Sequence, residues 1–537
     1  MSLDGFLTFI GLMIATYAIL SPVSRLRLRL NMYRQMVLGA VAIILVGFLE
    51  FYFELKSIAP TSLSWIFTYF GFHEQSLGFS NQEAAFLVVI SWLAAALLLH
   101  ASAKPRAISL ANLKTLSERL HDEGRYLELV ELVGPYLETI RCAVEKRLFG
   151  QRFHHWILDT HQKASNPFLA ILNDDKPPFP TWLARWIKPL ASLVPARSKA
   201  HHAALEIEDL VLQSDGVRQL LVRLKPEFAM ALMNRMGWEH DEFRTRFFRD
   251  ALNDKVSHFY KELKATQNCA QPFGYAIEPK SVLLTGFFGD AKVGAKYGIW
   301  KPVGDEAARL IRADLEYAKL LNGPCPDDED LWSDPTYNTI HFFDIMVTSA
   351  ARQDVPDHMW LMYMSVIVRE LETIHDVTDD RVNLAGEFPT LGNRLIYEAT
   401  RCLRKWIRLV GDLPADSSHL QPRNLQGVDG PSIPYWAAKD CLNAIRYVTE
   451  SERLTDGFIT GLLESYIRDV AALPSKGPVS LLRKMMVDEF INGDPIYGGE
   501  NLRAKIKKYI KGVDHVVLHD APDFQEALEK EAKETTA

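Results

Sequence analysis

Four metal-capable side chains fall close together in His154-His155-Trp156-Ile157-Leu158-Asp159-Thr160-His161. Imidazole and carboxylate suit zinc or iron. At helical spacing His155 and Asp159 share one face at i and i+4, while His154 and His161 share another at i and i+7. The set divides between two faces, so the metal reading is a site drawn from His155, Asp159 and His161. Histidines that are solvated or cap a helix are the competing expectation.

Charge recognition is the second chemistry on offer. Arg394, Arg401, Arg404, Lys405 and Arg408 lie around Trp406, and Arg503, Lys505, Lys507, Lys508 and Lys511 crowd a short segment near the C-terminus. A basic amphipathic helix lies on anionic lipid or meets phosphate. Arg401, Arg404, Lys405, Lys507 and Lys508 are therefore candidate contacts for a membrane surface or a phosphate. A solvated face paired with nearby acids is the alternative.

Other stretches offer fragments of motifs. Ser281 to Lys296 reads as an apolar strand entering a Gly-rich loop, but it lacks the Gly-Lys-Ser/Thr ending that places a lysine and a metal-binding hydroxyl on phosphate. Glu372 and His375 have the i, i+3 spacing of a di-iron ligand pair without a second such pair. Asp327-Asp328-Glu329-Asp330 with Asp334 lacks the alternating ligands and central glycine of a calcium loop. HExxH, GxSxG and GxGxxG do not occur. No cofactor is called for, although catalytic sets assembled from distant residues leave no such trace.

The elements that must position these residues begin with three apolar runs, Phe6–Val23, Gln35–Phe53 and Ala84–His100. Each approaches the ~20 residues that cross ~30 Å of hydrocarbon as a helix. The link between the first two carries Arg25, Arg27, Arg29 and Arg34, whereas the next link, Glu54 to Glu83, carries Lys56 alone. Short basic loops stay in the cytoplasm. The N-terminus is then outside, and everything after His100 is inside. A cleaved signal peptide fits less well, because the one early charge is Asp4 and the arginines follow the apolar run. Small residues at Gly11, Ala15, Gly39 and Gly47 allow close helix approach. The cluster Trp65 to Phe72 suits an interfacial or re-entrant segment.

Beyond the anchor the periodicity is helical almost throughout. Leu110, Leu113, Leu116 and Leu120 make one face, Gly124 breaks it, and Tyr126 to Leu137 resume it. The turn Glu123-Gly124-Arg125-Tyr126-Leu127-Glu128 resembles that of a tetratricopeptide unit, over about 34 residues and without a clear second copy. Longer helices are expected at 203–224, 238–265, 304–321, 339–352, 358–374, 391–410, 435–449, 455–471, 479–491 and 502–510. Strand signal is confined to Ser281–Phe288 and His515–Leu518. Gly411 to Pro434, with four prolines and no apolar face, reads as a linker.

Composition bounds the rest. A net charge of -7 in 537 residues speaks against a protein built around nucleic acid. Five widely spaced cysteines without a CxxC pair suit free thiols in a reducing compartment.

The expectation is an all-α protein of the inner (plasma) membrane. Three N-terminal transmembrane helices (about 6–23, 35–53 and 84–100, within an anchor of residues 1–103) precede a partly solenoid-like cytoplasmic body over 104–411. A linker at 412–434 and a C-terminal helical unit at 435–537 complete it. Its partners are the lipid bilayer and a protein, or a second copy of itself, and the body acts as a protein- or ligand-binding sensor or scaffold. An oligomeric membrane-permeabilising or signalling effector, as in bacterial defence systems, and a membrane-tethered metal-dependent enzyme are the alternatives.

Overall fold

The computed structural model describes residues 32–58, 80–101, 109–145, 198–235, 237–267, 270–271, 274–356, 360–377, 381–384, 386–426, 432–493 and 502–529, with isolated positions such as Phe67. The fold is all-α. The chain divides into two compact units, Met1–Val217 and Arg218–Ala537, so residues 435–537 fall in the same unit as 218–411. The first apolar run lies outside the described residues except for scattered positions.

In the first unit, α1 (Met32–Glu50) runs without a charged residue from Gln35 to Leu49. It ends at Phe51, where α2 (Tyr52–Ile58) turns away by 76°. The buried Tyr52 donates its hydroxyl to the Phe67 carbonyl at 2.6 Å, and the rings of Phe48 and Phe67 pack on it. Of the aromatic cluster, Trp65 and Tyr69 are exposed. α3 (Asn81–Ala101) opens with a reciprocal cap: Ser80 N–H donates to Glu83, and Glu83 N–H donates to Ser80 Oγ.

α1 and α3 pack together through Ala42 and Val46, with Ile43, Val88, Val89 and Trp92 around them. Their other faces are apolar as well: Met36, Ile44, Phe86 and Leu98 are all exposed. Among the described residues no single helix is long and apolar enough to cross a membrane; the bent pair Met36–Glu50 and Tyr52–Ile58 qualifies together, and Glu83–Ala96 is a shorter apolar helix.

The same unit holds α4 (Leu110–Asp122), α5 (Tyr126–Val133), α6 (Leu137–Val144) and α7 (Ser198–Gln213). Gly124, at φ +69°, makes the turn between α4 and α5 that a side chain would strain. Arg125 clamps that turn by ion pairs to Glu123 and Glu128. The second helix expected here is divided, because Gly134-Pro135-Tyr136 winds as a 3₁₀ turn. α7 lies against α4 and α6 and is tied to them by Lys114–Glu206 at 2.7 Å and His201–Ala143 carbonyl at 2.9 Å.

α8 (Asp215–Leu224) leads into the second unit. There follow α9 (Pro226–Met233), α10 (Trp238–Asn253), α11 (His258–Ala265), and a two-residue antiparallel pair, β1 (Ala270–Gln271) with β2 (Gly274–Tyr275). α12 (Val282–Phe288), α13 (Ala291–Tyr297), α14 (Trp300–Ala313), α15 (Leu315–Leu321) and α16 (Asp328–Leu331) come next. α17 (Pro335–Arg352), α18 (Met362–Ile374), α19 (Leu391–Arg408) and α20 (Ile433–Glu450) build the centre, and α21 (Asp456–Ala472) follows. The last four are α22 (Val479–Asn492), α23 (Arg503–Tyr509), α24 (His515–His519) and α25 (Pro522–Glu529).

Three long helices expected from periodicity are each two helices, and a capping side chain stands at every break. Ser214 Oγ accepts from Val217 N–H at the start of α8, Ser257 Oγ from Tyr260 N–H at α11, and the Asp314 carboxylate from Glu316 and Tyr317 N–H at α15. The apolar stripe continues across while the backbone ladder stops. Both expected strands are helices instead. Ser281–Phe288 is wound as α12 because the buried Glu262 carboxylate accepts from the N–H groups of Leu283 and Leu284 at 3.0 Å, and His515–Leu518 is α24, capped by Asp514. Tertiary capping overrides the β-prone composition.

The core of this unit is aromatic. Phe248, Phe259, Phe287, Phe288, Phe342 and Phe343 are fully buried and meet edge to face or tilted, with Trp360 and Trp406 buried beside α18 and in α19. The stretch expected as a linker carries 3₁₀ turns at Leu409–Gly411, Ser418–Leu420 and Asn424–Gln426. It buries His419 and Leu425, and its last turn packs on α20 and α22.

Candidate functional site

α17 is apolar over Phe342 to Val347 except for Asp344, which is 2% exposed. Its carboxylate accepts from three donors: Lys405 Nζ at 2.8 Å, Trp406 Nε1 at 2.9 Å, and the Tyr275 hydroxyl. Lys405 Nζ also lies 4.8 Å from the Tyr275 ring centroid. Burial opposes ionisation of Asp344, but the Lys405 charge and the hydrogen bonds from Lys405 and Tyr275 outweigh it and hold the carboxyl below its ordinary value. Burial, then Asp344, pushes the Tyr275 phenol up.

His341, one turn earlier, meets Tyr275 and Trp332 edge-on and sits 2.7 Å from Thr266 Oγ1. Burial lowers it to about 4, so its ring is neutral at pH 7. The cluster is closed: the carboxylate is filled, the lysine is paired and the phenol is protonated. It pins β2 and α19 to α17, with the neutral His341 ring buried beside it against Thr266.

The basic helix at 391–408 is occupied in the same way. Arg401 pairs with Glu398 at 2.6 Å, Lys405 with Asp344, and Arg404, 8% exposed, with Asp469 at 2.8 Å. Arg394 reaches Glu398 at 3.0 Å and Asp328 at 3.4 Å. Arg401, Arg404 and Lys405 are thus turned to acids of this unit, not arrayed on one free cationic face. Near the C-terminus Lys507 is exposed and Lys508 pairs with Asp456 at 2.9 Å, so these two remain at the surface.

His154, His155, Asp159 and His161 lie outside the described residues. Among the described residues no group of three or more His, Cys, Asp or Glu is placed to hold a metal ion. The glycine-rich stretch is not a phosphate loop. Gly289 N–H donates to the Thr285 carbonyl at the end of α12, and Asp290 caps α13, so these backbone donors are already used. Glu372 accepts from Ser451 Oγ, and His375 is buried just past the end of α18, off the helical path. In the acidic loop Asp327 caps α16 and Asp334 caps α17, carboxylates committed to backbone N–H groups.

An open feature of this unit is a cleft of about 480 Å³ between Leu384, residues 386–389, Tyr397 of α19 and the first turns of α21. That size is ordinary for a small-molecule site. Phe388 and Tyr397 meet at a ring distance of 5.0 Å and an angle of 51°, forming a corner. Phe458 lines the cleft from α21, and Glu387 is the one charged residue among the described lining residues. Gly457 and Gly461 stand one turn apart on α21, and a Cβ at either would meet nothing within 4 Å.

No known family, curated protein or solved structure matches this chain.

Sequence pattern points to neither Asp344 nor the cleft. A lone aspartate inside Phe342-Phe343-Asp344-Ile345-Met346 is the available signal for the first, since a charge in an apolar run demands a partner. Nothing local signals the cleft, whose walls come from segments about 70 residues apart in sequence.

Proposed function

We propose that the chain is an integral protein of the plasma membrane, N-terminus outside, whose helical body in the cytoplasm binds a small ligand and acts as a sensor. The membrane part is supported by α1 and α3, which are apolar on their outward faces as well as where they pack together. A helix pair apolar all round suits lipid, because in water such faces would be covered by protein. The Arg-rich link before α1 sets the orientation.

The observation that carries the ligand-binding part is the cleft on α21. Gly457 and Gly461 line it without side chains, Phe388, Tyr397 and Phe458 stand among its lining residues, and the nearby Arg394 is already paired with acids outside it. Two experiments test the two parts. The protein should stay with membranes in alkaline carbonate and leave them only in detergent, and protease should digest the body in inverted vesicles alone; release by carbonate counts against the anchor. A set of small soluble compounds should raise the melting temperature of the protein and fail to do so in Gly461→Leu, where a side chain fills the cleft. Identical responses in both proteins count against the binding reading.

A further inference from the structure

We propose that the ligand of the α21 cleft is an organic cation carrying a trimethylammonium group, held by Phe388, Tyr397 and Phe458 with Glu387 as its counter-charge. This rests on the ligand-binding reading above and names the chemistry of that site.

An aromatic face carries negative potential, and a methylated ammonium ion gains from several such faces at once because its charge is spread and it has no N–H to satisfy. The Phe388–Tyr397 pair and Phe458, which lines the cleft from α21, place three such rings among its lining residues. A cation already uses one of them: the Arg394 guanidinium, which does not line the cleft, lies 4.7 Å from the Phe388 centroid. Its charge is met by Glu398 and Asp328. Glu387 adds a carboxylate at the rim, and no Lys or Arg stands among the described lining residues.

The first turn of α21 opens on the same cleft, and a helix N-terminus favours anions. Here Thr455 Oγ1 accepts from Phe458 N–H and fills one of the free donors, and Asp456 in the same turn lies outside the lining and is neutralised by Lys508. The carboxylate of Glu387 is then the one charge among the described lining residues, which suits the cleft to a cation. The missing side chains at Gly457 and Gly461 give room for a head wider than a primary ammonium.

A trimethylammonium group reaches the cytoplasm as a free solute, such as choline, or as the phosphocholine head of a lipid, and the chemistry is shared. The test is calorimetric titration of the full-length protein in a maltoside detergent with three ligands. These are choline, glycerophosphocholine, and the uncharged isostere of choline in which tert-butyl replaces trimethylammonium. Choline should bind about tenfold more tightly than the isostere, a difference of roughly 1.4 kcal/mol. Glu387→Gln should remove most of that difference, and Gly461→Leu should abolish binding while leaving the circular dichroism unchanged. Tighter binding of glycerophosphocholine than of choline assigns the lipid source, and the reverse assigns the solute.

Equal affinity for choline and the isostere, lost in Gly461→Leu, overturns the cation and leaves the binding site standing. Binding of neither overturns the cation as well, and the melting-temperature response to small soluble compounds then decides the site alone.

Discussion

Lys405 reaches from α19 to the buried carboxylate of Asp344 on α17 at 2.8 Å, and this pair is asymmetric. The aspartate is enclosed, whereas the lysine side chain keeps 27% of its surface in contact with water. Removing either partner therefore has different consequences. Lys405→Met strands a buried carboxylate, and the loss should be about 3 kcal/mol or more. Asp344→Leu would also take the acceptor from Trp406 Nε1 and the Tyr275 hydroxyl, so the matching change is Asp344→Asn, which keeps an acceptor oxygen, frees a lysine that can turn outward and should cost less. Chemical denaturation followed by tryptophan fluorescence measures both, and equal losses would contradict the asymmetry.

The same pair fixes an acid limit. Asp344 has a lowered pKa in the folded protein, so its contribution is complete above the ordinary carboxyl pKa and is lost as pH falls through the lower, folded value. Lys405→Met should move the acid unfolding midpoint to higher pH. An unchanged midpoint would show that the carboxylate is held by Trp406 and Tyr275 alone.

Asp440 on α20 behaves in the opposite sense. Burial, opposed only by the Ser365 hydroxyl at 3.2 Å, raises it to about 7. A carboxyl with a raised folded pKa favours the folded state fully below about 4 and loses that contribution as pH rises through about 7. Asp440→Asn should remove a decline in melting temperature between those pH values and make the protein more stable at pH 8. A parallel pH profile for the two proteins would place the decline elsewhere.

Gly461 lies within α21 with open space where a Cβ would stand. Gly461→Ala should raise stability by about 0.5 to 1 kcal/mol from helix propensity. A lower melting temperature in the variant would mean that the space is not open.

Ile44 is 69% exposed on α1. If that face meets lipid, Ile44→Lys should lower membrane insertion by roughly 2.5 to 3.5 kcal/mol on the translocon scale. A glycosylation-based insertion assay reads this directly, and full insertion of the variant would count against lipid contact at that position.

Much of the body was legible in the sequence. α19, expected over 391–410, runs from Leu391 to Arg408, and α22, expected over 479–491, ends at Asn492. Their apolar stripes are unbroken over those lengths. What failed was segmentation: Ser214, Ser257 and Asp314 stop helices inside stripes that continue, and periodicity does not register a cap. Residues 281–288 failed for a different reason, since the Glu262 that caps α12 is about 20 residues away in sequence and only the fold brings it there. The charges of α19 were found by sequence but not their partners. Asp469 and Asp344 lie more than 60 residues from Arg404 and Lys405.

The divided helices have a mechanical consequence. The longest described rods of the second unit are 18 residues, about 27 Å, and most are shorter. A rearrangement of this unit that keeps its helices whole therefore has one form open to it, a change of angle between neighbouring rods at the capped breaks such as Ser257 and Asp314.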